Sequence, residues 1–270
     1  MVSIGWKRMR NRVRKILLDC SFLIQFSLDD FKRKYAGSFL GTVWAFLQPV
    51  STILVYWFVF SYLKSNPVGD IPFILWLVSG LMPWFFISEA VLSGTASIVE
   101  YGYLVKKVMF PLDILPAVKL LSVLFVQIFL ALFVMCLRSL FGLEPNGRCL
   151  EAIYYMLYMF LLVAGISYLT AAVYVFFRDL LQLVNIILQV IFWLTPMVWD
   201  VSIMPETVQK IIRWNPVYYI VTGYRNAFIY QKPFFSEGWM ILYYWGIALI
   251  LFGQGIRLFR KVRPHFADVL

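Results

Sequence analysis

TPMVWDVSIMPETVQKIIRWNPVYYIVTGYRNAFIYQKPF occupies Thr195–Phe234 and lies between two strongly apolar runs. A membrane reading makes it a connecting loop, yet for a loop it is long and far too apolar. Pro196, Pro205 and Pro216 cut it into pieces shorter than the about 20 residues that cross a bilayer. Pro205 followed by Glu206 is a helix start, because proline suits the first turn and a carboxylate suits the positive helix end. Asn215-Pro216 is a second start, with Asn215 as the cap. Gly223 marks either the end of regular helix or a close contact. The pattern predicts two short helices that enter the outer half of the membrane without crossing it. Such backbone survives in a bilayer only where it is buried in protein or lines a wet cavity, so the segment implies a pore or vestibule. The alternative is an amphipathic loop lying on the surface.

Outward from this segment, composition places the chain among polytopic membrane proteins. Its 270 residues are 62% hydrophobic and 14% charged, with a mean hydropathy of +0.79. Six segments have the length and character of spans, or nearly so: Trp44–Leu63, Phe73–Ile98, Leu120–Leu137, Ala152–Phe177, Leu180–Trp199 and Trp239–Ile256. The expected fold class is therefore an all-α polytopic membrane protein with six transmembrane helices. An even number puts both termini on one side, and the basic residues make that side cytoplasmic. Lys7, Arg8, Arg10, Arg12, Arg14, Lys15, Lys32, Arg33 and Lys34 precede the first span, and Arg257, Arg260, Lys261 and Arg263 end the last. Residues 1–42 then form a cytoplasmic interfacial helix and lead-in, 99–119 a cytoplasmic segment, and 200–236 the outer re-entrant segment of a single transmembrane domain. Within Ser3–Leu18, Ile4, Trp6, Met9, Val13, Ile16 and Leu17 alternate with Lys/Arg at helical spacing. That predicts a helix in the cytoplasmic interface, drawn to anionic lipid.

The net charge of +10 sits mostly at the chain ends. No soluble basic domain exists for nucleic acid. Cys20, Cys136 and Cys149 have no metal spacing, and His265 is the lone histidine, so no metal site is expected. No Gly-Lys-Ser or Gly-Lys-Thr phosphate loop and no Gly-x-Ser-x-Gly elbow appears, which argues against a nucleotide site or an enzyme on this chain. Glu89 interrupts the second span, and an intramembrane carboxylate is either functional or held structurally by neighbours such as Ser88 and Ser93. Arg178-Asp179 forms an inner turn, and Asp200 and Arg225 are placed to pair across the re-entrant segment. Aromatics are dense; belt and packing roles explain most, while faces such as Tyr56, Phe60, Trp84, Phe85, Trp193 and Trp199 can stack on the C–H faces of sugars. With Glu89 they are the candidate substrate path.

The inner stretch VEYGYLVKKVMFPLDILP, Val99–Pro116, is too structured for a plain connector. Tyr101, Tyr103, Leu104, Val105 and Met109 make one apolar side of a short helix flanked by Lys106 and Lys107. Phe110-Pro111 ends it, because a residue before proline disfavours helical geometry. Asp113 and Pro116 then open the third span. The alternative is a lipid-facing interfacial turn.

KYAGSFLGTVWAFLQP (Lys34–Pro49), LVKKVMFPLDILP (Leu104–Pro116), LTPMVWD (Leu194–Asp200) and RWNPVYYIVTGYRNAF (Arg213–Phe228) resemble, in order along nearly the whole chain, permeases of ABC-type polysaccharide exporters. The second of the gate blocks and the tail HFADVL are closer to the teichoic-acid branch than to the O-antigen branch. The resemblance implies a homodimer with the path at its interface and two copies of a separate ATPase subunit that binds ATP and Mg. It also implies a cargo polymer on a lipid carrier, exported across a bacterial cell membrane. It assigns Tyr101, Tyr103, Leu104, Lys106, Lys107, Met109, Phe110 and Pro111 to ATPase coupling, with no cofactor on this chain. It assigns Pro205, Ile211, Trp214, Pro216, Tyr218, Tyr219, Tyr224 and Arg225 to an outer gate. A small-molecule exporter of the same superfamily is the alternative.

Overall fold

A computed structural model describes residues 20–63, 71–105, 111–143 and 146–270, and among these every regular element is a helix. Helix α1 covers residues 20–34. It is followed by α2 (Trp44–Leu63), α3 (Phe73–Glu100) and the single turn α4 (Gly102–Val105). Then come α5 (Leu115–Leu140), α6 (Glu151–Tyr174), α7 (Leu180–Leu194), α8 (Glu206–Ile212), α9 (Pro216–Arg225), α10 (Met240–Val262) and α11 (Phe266–Val269). The expected interfacial helix Ser3–Leu18 lies outside the described residues.

Among the described residues, five helices are long and apolar enough to cross a membrane, with α7 a shorter apolar helix beside them. The expected span Leu180–Trp199 is corrected here. Helix α7 stops at Leu194 after 15 residues, about 22 Å at 1.5 Å per residue. Thr195 stands before Pro196 and is extended (ψ 133°), the geometry a following proline imposes. The third span starts earlier than Leu120, at Leu115 with Pro116 in its first turn, where a missing N–H costs nothing.

Helix α3 is the centre of the packing: 78% of its membrane window is buried, against 17% for α2. Small residues allow the closest contacts. A Cβ on Gly94 would lie 2.5 Å from the Ser167 hydroxyl of α6, and one on Gly165 would lie 2.5 Å from the Phe252 backbone of α10. A second apolar core closes the far ends of α3, α5 and α6. There Ile98, Tyr101, Leu112 and Leu115 meet Phe259 of α10 and the fully buried Phe266 of α11. An Arg263–Asp113 pair at 2.7 Å ties the same tail to the start of α5. Arg178 and Asp179 form the turn between α6 and α7, with Arg178 lying 5.5 Å above the Tyr174 ring.

Candidate functional site

Two adjoining cavities of about 660 and 420 Å³ run along one side of α3, walled by α2 and α7 and, in the larger one, also by α1 and α5. They share Thr52, Phe85, Ser88, Leu92 and Asn185, so together they form one groove. Its two ends differ in chemistry. Near α1 the walls carry Arg33, Lys34, Glu89, Lys119 and the amides Gln48 and Gln182. Near the end of α7 they carry Tyr56, Trp84, Phe85, Phe192 and Trp193. Tyr56 stacks on Phe192 at 6.1 Å, and Trp84 tilts against the same ring at 5.5 Å. Such a groove matches a molecule with a charged or hydrogen-bonding end and apolar C–H faces.

The predicted path residues largely converge on it. Tyr56, Trp84, Phe85 and Trp193 line the aromatic part, and Phe85 and Glu89 the polar part. Phe60 packs beside Tyr56 at 6.2 Å, and the Trp199 indole N–H donates to the Trp193 carbonyl at 3.3 Å. Of the two readings of Glu89, the one in which its serine neighbours hold the carboxylate is not what the structure has. Ser88 and Ser93 donate back to helix carbonyls, and Glu89 pairs with Lys34. Partial burial works against the Lys34 charge, but the Glu89 carboxylate outweighs it and holds the ammonium above its ordinary range.

A second charge cluster forms the floor of the groove's polar end. Lys119 of α5 is buried and lies 2.7 Å from Asp30 of α1 and 2.6 Å from Glu100 at the end of α3. The Tyr101 hydroxyl donates to the same Asp30 oxygen at 2.6 Å. Arg33 sits 5.1 Å above the Tyr101 ring and donates to the Tyr103 hydroxyl at 3.2 Å. Sequence reading passed over Asp30, Glu100 and Lys119. All three stand outside the spans read from the sequence, so no intramembrane charge marked them there.

Of the proposed coupling residues, Lys106, Lys107, Met109 and Phe110 lie outside the described residues. Leu104 belongs to the α4 backbone, Tyr103 is 53% exposed, and Pro111 is exposed. Tyr101 is a correction: at 2% exposure its ring belongs to the interior, held by Asp30, and offers no outward contact.

At the opposite end, two short helices start where proline and asparagine predict. Pro205 precedes α8, and the Asn215 side chain accepts from the Val217 N–H at 2.9 Å to cap α9. The Asn215 amide also donates to the Thr195 hydroxyl at 2.9 Å, joining α9 to the break after α7. Arg225 does not pair with Asp200, whose carboxylate accepts from the Ser202 N–H. The buried Arg225 guanidinium instead donates to the Pro196 and Met197 carbonyls, both at 2.7 Å, and lies 3.6 Å above the Trp76 ring. Gly80 makes room for it, since a Cβ there would sit 2.5 Å from the Arg225 Nη2. Among the gate candidates, Tyr219 and Tyr224 are also buried. Tyr219 stacks on Tyr244 at 4.2 Å, and Tyr224 accepts from Gln127. Gly223 is a close contact, where any side chain would overlap the Tyr155 ring. Pro205, Ile211 and Trp214 are exposed, while Pro216 and Tyr218 are partly buried. Among the described residues no cluster of three or more His, Cys, Asp or Glu could hold a metal.

The groove, the long apolar helices and the two short helices beside a broken one define a multi-pass membrane protein of the permease class. Residues 25–229 match the family described as ABC-2 type transporter, and the chain belongs to that family. Its members are the membrane permeases of ABC transporters, with the ATPase on a separate chain, and the protein is a multi-pass component of the bacterial inner membrane. It is 27% identical over 258 residues to the O-antigen export system permease protein RfbA of Myxococcus xanthus, covering 95% of this chain and 98% of that one. It is 26% identical to a Klebsiella pneumoniae protein of the same description (92% and 94% covered). It is 24% identical to the polysialic acid transport protein KpsM of Escherichia coli (92% and 94%).

Proposed function

We propose that this chain is the channel-forming subunit of an ATP-driven exporter that moves a lipid-linked cell-surface polysaccharide from the cytoplasmic to the outer face of the membrane. The observation that carries this reading is the groove's uneven lining, with its charged side chains all at one end and a cluster of aromatic faces at the other. A lipid-linked glycan has the matching pair of chemistries, an anionic head and sugar rings. A small-molecule exporter needs no such gradient along its wall. The relatives' names favour an O-antigen-type glycan over teichoic acid as the cargo class.

In this reading both termini are cytoplasmic and α7 is a sixth, shorter span. Helices α8 and α9 re-enter the outer half of the membrane, and residues 99–119 meet the ATPase. Two copies of the chain pair with two ATPase subunits, which hold ATP and Mg. The exposed apolar faces of α2 (Leu54, Val55, Phe58) and α7 (Ile186, Ile187, Val190) are available to the second copy and to lipid. Cells depleted of the chain will accumulate the lipid-linked glycan inside and lose it from the surface, with recovery requiring both the chain and an active ATPase. Undiminished surface glycan in depleted cells would end the proposal. Topology is checked separately with an impermeant thiol reagent. Cys149 is buried and Cys20 and Cys136 are exposed, so with the latter two changed to Ser the outer reporter is Gly147→Cys, which labels in intact cells, and the inner reporter is Lys261→Cys, which labels only after permeabilisation.

A further inference from the structure

The groove has a third kind of lining besides its charges and its aromatic rings. Helix α7 contributes three neutral amides, with Gln182 in the larger cavity, Gln189 in the smaller and Asn185 in both. Spacings of three and then four residues keep them on one stripe of the helix, rising by about 4.5 and then 6 Å. The stripe has its own sector of α7. On one side of it Val184, Leu188 and Phe192 are buried, and on the other Leu183, Ile186, Ile187 and Val190 are exposed. Across the groove α2 repeats the pattern, with Gln48, Thr52 and Tyr56 at successive spacings of four. The Thr52 hydroxyl gives its proton to the Gln48 carbonyl, which leaves its oxygen as an acceptor on that wall.

All three amides of α7 are exposed, and among the described residues none has a side-chain hydrogen bond. On a helix within a bilayer an amide without a partner is unfavourable, so the stripe calls for a polar neighbour. Its chemistry narrows what that neighbour is. A carboxamide has two donors and an acceptor oxygen, and a sugar hydroxyl likewise donates and accepts. The amides carry no charge, so they neither select an anion nor detain one. Several equal, weak contacts in a row suit a ligand that must leave as readily as it enters. A repeating chain of hydroxyl-bearing rings can pass from one amide to the next without losing all its bonds at once. The exposed apolar sector of α7 gives a second copy or lipid a surface of its own, apart from the stripe.

We propose that Gln182, Asn185 and Gln189 form a hydrogen-bonding ladder for the hydroxyls of a sugar chain, with Asn185 as the central rung where the two cavities join. This rests on the proposed function and adds to it the residues that meet the neutral part of the cargo. The ladder leads from the groove's charged end to Phe192 and Trp193, one turn beyond Gln189, where ring faces take over from amides. Gln48, Thr52 and Tyr56 of α2 form the facing wall. The three amides act in series, so each one lost removes one step and leaves the fold of α7 as it is.

The test uses the full chain with its ATPase subunit, in cells depleted of the native copy and as the purified complex. Asn185→Leu keeps roughly the same volume and removes the hydrogen bonds. It should slow the return of surface glycan about fivefold, the scale of one net hydrogen bond, with the melting temperature of the complex unchanged. Gln189→Leu should act alike, and Asn185→Gln should keep most of the wild-type rate. A photo-crosslinking p-benzoylphenylalanine at Leu181 borders the larger cavity and leaves all three amides in place. On illumination it should join to glycan, while the same group at the exposed Ile187 should not. An Asn185→Leu protein that exports like the wild type overturns the inference. A loss of export matched by a lower melting temperature overturns it as well, since that reports a structural contact. Leu181 adducts to a second copy of the chain in place of glycan also overturn it, because the amides then pair two copies. In all three cases the wild-type chain restores surface glycan and the proposed function stands; a wild-type chain that restores none overturns both.

Discussion

The two ends of the α3 packing are each held by a buried cation, and they are built differently. At the α1 end Lys119 faces two carboxylates and a tyrosine hydroxyl contacts one of them. At the α7 end Arg225 faces no carboxylate among its hydrogen-bond partners, only the carbonyls of Pro196 and Met197 and the face of Trp76. The carbonyls belong to backbone freed by the proline break after α7, so Arg225 supplies donors that the helix no longer does. A planar guanidinium suits this work, because its fork reaches two acceptors while its face lies on an indole. The difference separates an anchor from a joint. The Arg225 site satisfies backbone at the break after one helix, whereas the Lys119 site links separate helices through side chains alone.

The comparison breaks most sharply at Arg225. Changing Arg225→Met keeps the volume but strands two carbonyls and empties the space over Trp76. The expected loss is about 3–5 kcal/mol, because two buried carbonyls lose their donors at about 1–3 kcal/mol each and the indole loses its cation. In detergent this appears as a melting temperature lower by about 10 °C. A fall of only a degree or two would mean that water satisfies the Pro196 and Met197 carbonyls and that the site is no anchor. At the other end Lys119→Met should cost less, about 2 kcal/mol, because Asp30 retains the Tyr101 hydroxyl and Glu100 is half exposed. A loss equal to that at Arg225 would erase the distinction between the ends.

Gly80→Ala probes the anchor without touching its charge. The new methyl would stand 2.5 Å from Nη2 and 3.0 Å from the Met197 carbonyl oxygen, pushing the guanidinium off both acceptors. Overpacking of this kind costs about 1–2 kcal/mol. Combined with Arg225→Met it should cost less than it does alone, since the nearest clash partner is gone and only the Met197 carbonyl remains close, and a double-mutant thermal melt reads that non-additivity directly.

The sequence made the outer region more legible than the inner one, for a physical reason. Helix starts at Pro205-Glu206 and Asn215-Pro216 depend on residues adjacent in the chain, and α8 and α9 begin there. The end of α7 was equally local: Thr195 before Pro196 stops the helix, though apolar letters continue to Trp199 and lengthened the expected span. The aromatic faces of the first and second spans could be counted from the sequence, but not the groove they line with Phe192 and Trp193 of α7. The Asp30–Lys119 pair spans 89 positions and the Arg225–Pro196 bond 29, and no periodicity brings such partners together. Asp30 drew no notice, Lys119 stood just outside the third span, and Tyr101 looked like an outward contact. Each takes its meaning from a neighbour on another helix.

The smallest effect belongs to the pair that most resembles a surface contact. Lys34 and Glu89 have side chains 46% and 42% exposed, so Glu89→Gln should change stability by less than about 1 kcal/mol. Its pH behaviour follows from the raised Lys34 pKa. A base whose folded pKa lies above its unfolded value contributes fully below the unfolded value and loses that contribution as pH rises through the folded one. With the ordinary value at 10.5, the wild-type and Glu89→Gln melting curves should keep a constant small gap from pH 6 to 9 and converge only in strong alkali. A gap that instead closes between pH 6 and 9 would mean that the pair's strength is set by a group other than Lys34. The same variant should alter export more than stability if Lys34 is the cation that meets an anionic cargo head, because an amide leaves that ammonium free in the groove at all times. Stability and export then report on two different functions of one side chain, which neither buried cluster can separate.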